Sequence, residues 1–281
     1  MGQVLKMSEM MKKHILKMGA LALLLVAGCS DKNQPYVEKP AADLYSKGYQ
    51  DMLQSDYKEA ALAFDEVERQ HPYSEWATRG QLMSAYANYL NGDYDKAIAT
   101  LDAFIQLHPG YKDISYAYYL KALNYYDRIL AVKRDQKSTY EALNALSAVV
   151  KKFPQTKYAR DAQLKMDLVY DHLAGKEMDT GRYYMKKRLY IAAINRFQAV
   201  VDAYQKTTHV PEALHRLVEC YLAVGLTKEA QIVAAVLGHN FPGSEWYADS
   251  FLLLKGEDLR PEWIKVEQGS WLDSLMNVSL Y

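Results

Sequence analysis

A register of prolines and alanines constrains the fold of this chain more than any other feature. Pro72, Pro109, Pro154 and Pro242 stand in related contexts: Gln70-His71-Pro72-Tyr73-Ser74-Glu75-Trp76, Leu107-His108-Pro109-Gly110, Lys152-Phe153-Pro154-Gln155-Thr156-Lys157-Tyr158 and Asn240-Phe241-Pro242-Gly243-Ser244-Glu245-Trp246. Twelve residues before each proline stands an alanine (Ala60, Ala97, Ala142, Ala230), and eight before it stands Phe64, Leu101, Leu146 or Ala234. A fifth copy has Gln205 in place of proline and keeps Ala193 and Phe197 at the same offsets. Self-similarity at such a period marks a repeat architecture.

The physics of one unit follows from its spacing. Ala60, Ala63, Phe64 and Val67, like Ala97, Ile98, Leu101 and Phe104, recur at three- and four-residue steps, which makes one face of a helix. The alanine lets a neighbouring helix approach, and the larger residue one turn later fills the space beyond. Proline ends the helix, because the residue before it is pushed out of the α region. Ser74, Thr156 and Ser244 then read as N-caps of the next helix. Asn91-Gly92-Asp93 breaks the chain between the two helices of a unit. No segment alternates with the period of a strand.

The unit resembles the tetratricopeptide repeat, whose small residue, aromatic residue and proline have this spacing. First helices match it more loosely, through Leu44 and Gly48, Ala85, Gly181 and Tyr184, and Leu214 and Tyr221. The predicted fold is all-α: a right-handed superhelix of about five repeats and about ten helices, over residues 43–255. Repeats are expected near 41–76, 77–112, 113–157, 158–207 and 208–245. The intervals of 37, 45, 51 and 37 residues between prolines (Gln205 counted as one) predict a lengthened loop near 133–138. They also predict a long first helix in the fourth unit, from Tyr158 to about Leu189.

Tyrosine is over-used, with 24 copies against 6 Phe. Some read as repeat packing: Tyr57 and Tyr94 open second helices, and Tyr221 occupies a core position. With units starting at residues 41 and 78, Tyr45, Tyr49, Leu82, Tyr86 and Tyr89 fall on the side of the first helices that tetratricopeptide folds turn inward. Tyrosine combines apolar area, a hydroxyl and low rotamer entropy, which suits peptide recognition. The competing reading for each is packing between neighbouring helices.

The first 28 residues read as an address. Lys12, Lys13 and Lys17 precede an apolar run from Met18 to Gly28, too short to span a bilayer as a helix and suited to a signal-peptide core. Val26-Ala27-Gly28-Cys29 resembles a bacterial lipobox, which makes Cys29 the expected lipidated N-terminus of the mature chain. Met11 would open a more typical signal length. Residues 29–42, with Pro35 and Pro40 among polar side chains, read as a flexible tether. Ser30 after the cysteine is compatible with delivery to the outer membrane. The whole chain carries 34 basic and 34 acidic residues; the leader takes Lys6, Lys12, Lys13, Lys17 and Glu9 with it and leaves a slightly acidic body. That balance argues against nucleic-acid binding. The basic run Lys186-Lys187-Arg188 reads as a solvated face.

Chemistry is sparse. The seven histidines are scattered and no paired-cysteine or His-Glu-x-x-His spacing occurs, so no metal or other cofactor is expected. No phosphate-cradling loop or nucleophile elbow is present. Cys220, in an apolar helical stretch, reads as a buried thiol. Carboxylates are plentiful on solvated helix faces, and no catalytic pair is picked out among them.

Three stretches narrow the resemblance to the BamD family of outer-membrane assembly lipoproteins. They are Arg69 to Ala77, Tyr183 to Phe197 with its Tyr-Tyr, basic, aromatic and Asn195-Arg196 pattern, and Glu212 to Ala230. The resemblance implies a lipid-anchored protein on the periplasmic face of the outer membrane of a Gram-negative bacterium. It implies that the first repeats meet the aromatic C-terminal segments of unfolded outer membrane proteins. The last repeats would bind the POTRA region of a BamA-type barrel-forming subunit, alongside other Bam lipoproteins. Arg196 and Arg188 are the partner-coupling candidates it carries over. The alternative is a repeat lipoprotein that scaffolds peptidoglycan or cell-division enzymes. Residues 256–281, with Trp263, Trp271, Leu272, Leu275 and Met276, form an extension that reads as a capping helix.

Overall fold

A computed structural model describes residues 37–255; the leader, Cys29 and the extension 256–281 lie outside the described residues. From Ala41 the described chain is helical throughout, with eleven helices where about ten were expected. They are α1 (Ala41–Leu53), α2 (Tyr57–Gln70), α3 (Glu75–Leu90), α4 (Tyr94–Leu107), α5 (Ile114–Tyr126), α6 (Lys137–Lys152), α7 (Lys157–Lys186), α8 (Tyr190–Ala203), α9 (Val210–Ala223), α10 (Thr227–Asn240) and α11 (Glu245–Lys255). Successive helices pack on one another, and α3, α5 and α7 also touch the first helix of the unit before. The helices therefore form five pairs and one helix more. The lengthened loop falls between α5 and α6, earlier than its expected place, and the long helix of the fourth unit is α7.

The turns between units share one geometry. Each second helix ends on a residue whose backbone leaves the α region: His71 (φ −134°, ψ 60°), His108 (−125°, 52°), Phe153 (−131°, 51°) and Phe241 (−135°, 56°). Tyr204, followed by Gln205, takes the same conformation (−126°, 41°) without a proline to impose it. There the Thr207 hydroxyl donates to the Tyr204 carbonyl (2.8 Å), as Ser74 does to His71 (2.9 Å) and Thr156 to Phe153 (2.8 Å). The same cap oxygens accept from Ala77 N (3.1 Å) and Ala159 N (3.2 Å), and Ser244 Oγ accepts from Trp246 N (3.2 Å). Each satisfies an N–H that a helix start would leave unpaired.

The turns inside units are equally regular. Ser55 and Gly92 are 37 residues apart, as are Arg188 and Gly225, and all four take positive φ (64°, 81°, 58° and 81°). Glycine adopts this conformation without strain; Arg188 pays for it with about 1–2 kcal/mol.

Within each unit one volume is divided between two helices. Gly48 of α1 faces Phe64 of α2, so closely that a Cβ on Gly48 would stand 2.8 Å from Phe64 Cε1. Gly181 of α7 faces Phe197 of α8, where the same addition would reach 2.5 Å. At the equivalent places Ala85 clusters with Leu101, and Ala122 with Leu146. The fifth unit reverses the sizes, Val218 on the first helix clustering with Ala234 on the second. All of these residues are buried.

The last helix docks on the fifth unit through a buried polar contact. His215 Nδ1 of α9 lies 2.9 Å from Ser250 Oγ of α11, and its ring lies 5.3 Å from that of Trp246. The Arg216 guanidinium covers the other part of Trp246 at 5.2 Å. Burial pushes the His215 imidazole below its ordinary value of 6.5; Glu219, 3.7 Å away, opposes this, and Arg216 reinforces it.

Two outcomes follow. Gly181→Ala overpacks the Phe197 contact and should destabilise the chain by about 1–3 kcal/mol in denaturant unfolding. Adding Phe197→Leu, which copies the pairing of the second and third units, should recover most of that loss; no recovery would refute the volume-sharing account. The depressed His215 value means that its contribution is present above about pH 6.5 and is lost as pH falls through the folded value. Once the intrinsic pH dependence of exchange is divided out, the protection of α11 should therefore fall as pH drops below about 6.5, and His215→Gln should remove that fall.

Candidate functional site

The five groove candidates separate in the structure. Tyr49 is exposed (51%). Tyr45 packs between units, with ring centres 5.3 Å from Phe64 and 5.1 Å from Trp76, and burial raises the pKa of its phenol. Leu82, expected on the inward surface, is a core residue at 8% exposure, clustered with Leu101 and Phe104 of the second helix of its own unit. Its position faces that helix, so an apolar side chain there is drawn into the unit. Tyr86 and Tyr89 are half-buried and stacked, with ring centres 6.4 Å apart.

Tyr86 and Tyr89 open a strip that continues into the following units. Tyr86 meets Tyr116 of α5 at 6.4 Å, Tyr116 meets Tyr158 of α7 at 5.5 Å, and Tyr158 stacks with Tyr119 at 5.2 Å. Two of the hydroxyls are tied to carboxylates: Tyr89 donates to Asp127 Oδ2 (2.6 Å), and Tyr119 to Asp161, which Lys165 also holds (3.0 Å). Burial first, then these carboxylates, raise the Tyr89 and Tyr119 phenol pKa values; burial dominates at Tyr116. The hydrogen bond from Tyr119 holds Asp161 below its ordinary value. The strip is thus a run of five phenol rings on α3, α5 and α7, with the Tyr89 and Tyr119 hydroxyls held by carboxylates. It offers ring faces and edges to an apolar or aromatic segment. It contains no nucleophile with a base beside it.

Tyr116, Tyr119 and Tyr158 were not singled out from sequence. A signal existed for Tyr119, because Tyr45, Leu82 and Tyr119 are each 37 residues apart, as are Tyr89 and Tyr126. Tyr158 lies beyond the lengthened third unit, where a fixed period no longer points to it.

The coupling candidates lie on the fourth unit. Arg196 Nη1 pairs with Glu177 Oε2 at 3.1 Å, a bridge from α8 to α7, with side-chain exposures of 45% and 20%. Arg188 occupies the left-handed turn between α7 and α8, and Tyr183, Leu189 and Ile191 around it are all exposed. Next to them Arg182 donates to both oxygens of Glu212 (3.1 Å each), and Arg216 bridges Glu212 (3.4 Å) to Glu219 (2.7 Å), joining the fourth unit to the fifth. Cys220 is fully buried, and its thiol is pushed up to about 11 by burial, so it is inert at neutral pH.

Comparison with known proteins agrees with this architecture. The family model described as YfiO, outer membrane lipoprotein, matches residues 37–237. The outer membrane protein assembly factor BamD of Caulobacter vibrioides is 48% identical over 257 residues, covering 90% of this chain and 84% of that one. BamD of Rickettsia prowazekii is 47% identical over 233 residues, covering 83% and 93%. BamD of Neisseria meningitidis serogroup A is 34% identical over 248 residues, again covering 83% and 93%. With a family model spanning most of the described helices and relatives this similar over most of their length, the chain belongs to the BamD family of outer membrane lipoproteins.

Proposed function

We propose that this chain is a scaffold for outer membrane protein assembly, held at the periplasmic face of the outer membrane by a lipid on Cys29. In this reading residues 1–28 are removed as a signal peptide and residues 29–42 are the tether. The helical pairs capture C-terminal segments of unfolded outer membrane proteins and present them to a BamA-type subunit bound through its POTRA region, with other Bam lipoproteins alongside. The protein performs no catalysis and needs no cofactor.

One observation supports the reading most. In a chain 48% identical to an outer membrane protein assembly factor, tyrosines from three successive first helices form one connected strip. Substrate segments that end in aromatic residues would find ring edges and faces there, and rigid two-torsion side chains lose little entropy on contact. Of the groove candidates, Tyr49 is exposed and Tyr86 half-buried, while Tyr45 is taken up by Phe64 and Trp76 and Tyr89 by Asp127. For the coupling role, the exposed apolar side chains around Arg188 and the half-exposed Arg196 supply a mixed apolar and cationic surface on the fourth unit. A strained left-handed Arg188 where the fifth unit has Gly225 accords with a role beyond the turn itself.

Binding of a synthetic peptide from the C-terminus of a barrel protein, measured by fluorescence anisotropy, should weaken about tenfold or more for Tyr49→Ala with Tyr86→Ala. Unchanged affinity would sink the groove assignment. Arg196→Ala breaks a partly exposed ion pair worth about 1 kcal/mol or less, so helicity and thermal midpoint should hardly change. Co-purification of the barrel-forming subunit from detergent-solubilised outer membrane should nevertheless fall. Loss of folding together with loss of co-purification would assign Arg196 to internal support of α7 and α8 instead.

A further inference from the structure

The third turn between units departs from the other four in charge. In the shared register, the places three and two residues before the proline and three and six after it hold Lys151, Lys152, Lys157 and Arg160. The same places hold one cation at the first turn (Arg69) and one at the second (Lys112). At the fourth and fifth they hold no Lys or Arg, and Asp202 and Glu245 stand there instead. No acidic residue occurs from 142 to 160, in a chain whose basic and acidic residues balance at 34 each. All four cations are exposed, and among the described residues none of them pairs with a carboxylate. Lys152 donates to the Tyr118 hydroxyl (2.7 Å), and the Lys157 ammonium stands 5.2 Å over the ring of Tyr158, the member of the tyrosine strip on α7. The first acid on α7, Asp161, is taken up by Tyr119 and Lys165.

An apolar face adjoins two of these cations. Counted at 3.6 residues per turn, Lys157, Leu164 and Leu168 point within about 20° of one another, and Arg160 within about 60° of Lys157. Leu164 and Leu168 are 66% and 61% exposed. Leu164 stands ten residues after Pro154 as Leu82 stands ten after Pro72, yet Leu82 is buried against the second helix of its unit. The length of α7 makes the difference. Ala85, the small residue that meets the second helix, lies ten residues after the start of α3, whereas Gly181 lies 24 after the start of α7. Pairing with α8 is therefore displaced by about 21 Å along α7. The chain leaves α8 beside Tyr170, where Tyr204 meets it, and the two leucines before Tyr170 stay exposed.

We propose that this face of α7 reads the free C-terminus of a bound segment. The terminal carboxylate pairs with Lys157 and Arg160, the apolar side chains next to it lie on Leu164 and Leu168, and the aromatic residues further in lie along the tyrosine strip. Charge complementarity selects the occupant. Unpaired cations beside exposed leucines and a phenol ring fit a chain end that is anionic and apolar within a few residues, whereas a free phosphate would make no use of the leucines. Lys157 and Arg160 would thus distinguish a chain terminus from an internal segment of the same sequence. Lys151 and Lys152, around the same turn, add to the field that attracts it. The inference rests on the peptide-capture reading and adds which end of the peptide is read and by which side chains.

The test is fluorescence anisotropy on the full chain with one synthetic peptide from the C-terminus of a barrel protein, prepared as the free acid and as the C-terminal amide. The free acid should bind about tenfold more tightly, as expected for a charge-assisted pair. Lys157→Gln with Arg160→Gln should bring the acid down to the affinity of the amide and leave the amide unchanged. The thermal midpoint should hold, because neither cation is paired with a carboxylate of the fold. Leu164→Ser with Leu168→Ser should weaken both forms. Equal affinities for acid and amide, an equal loss of both in the cation variant, or no loss in the leucine variant would each overturn the inference and leave peptide capture standing. Absence of binding by both forms would remove the capture reading and this inference with it. Equal affinities together with binding to phosphatidylglycerol vesicles that the cation variant loses would assign the cations to a lipid surface instead.

Discussion

The contact on which the other features rest is the shared volume between the two helices of a unit. Gly48 with Phe64 and Gly181 with Phe197 bring helix backbones close enough that one added methyl group would collide with a ring. Ala85 with Leu101 and Ala122 with Leu146 divide a similar space more evenly, and Val218 with Ala234 divides it the other way round. What is kept from unit to unit is the sum of sizes, not the residue at either place. Native cores respond to that sum, because a void and an overlap are both costly. Burying a Phe or Leu at this point contributes about 1.5–3 kcal/mol, several times what a surface charge pair supplies.

Ion pairs join consecutive units as well: Lys96 to Asp65 (3.2 Å), Arg128 to Asp95 (2.6 Å) and Lys121 to Asp102. At least one partner of each is well exposed, so they add register more than stability. Aromatic contacts are the stronger links between units. Tyr45 leans on Trp76, Tyr86 on Tyr116, and Tyr116 on Tyr158. Tyrosine serves here because one end of the side chain can be apolar and buried while the hydroxyl reaches a carboxylate. In the proposed function the strip on α3, α5 and α7 would meet an aromatic segment through the same property. Structural and recognition roles would then fall on the same residues, with the strip held rigid by the contacts that hold the repeats together.

The repeat was legible because its signals are local. Proline and the residue before it set a helix end, hydroxyl side chains cap the next start, and three- and four-residue spacing marks the buried face. Leu82 shows where local reading stopped. Counting along one helix predicts a surface position, but the second helix of the unit packs on Leu82 and buries it. Arg196 shows the same limit for charge, since its partner Glu177 sits on another helix 19 residues away in sequence.

Sequence by itself determined that the chain is helical, that it repeats, where most helices end and which small and large residues form the repeated buried register. These depend on backbone sterics and periodicity, which act within a few residues. Tertiary structure decided which tyrosines meet and which phenols are tied to carboxylates. It also decided that Tyr204 would turn as its counterparts do without a proline. Each of those depends on the distance between helices, and that distance is set by the pair of volumes facing each other across a unit, a quantity that neither helix carries alone.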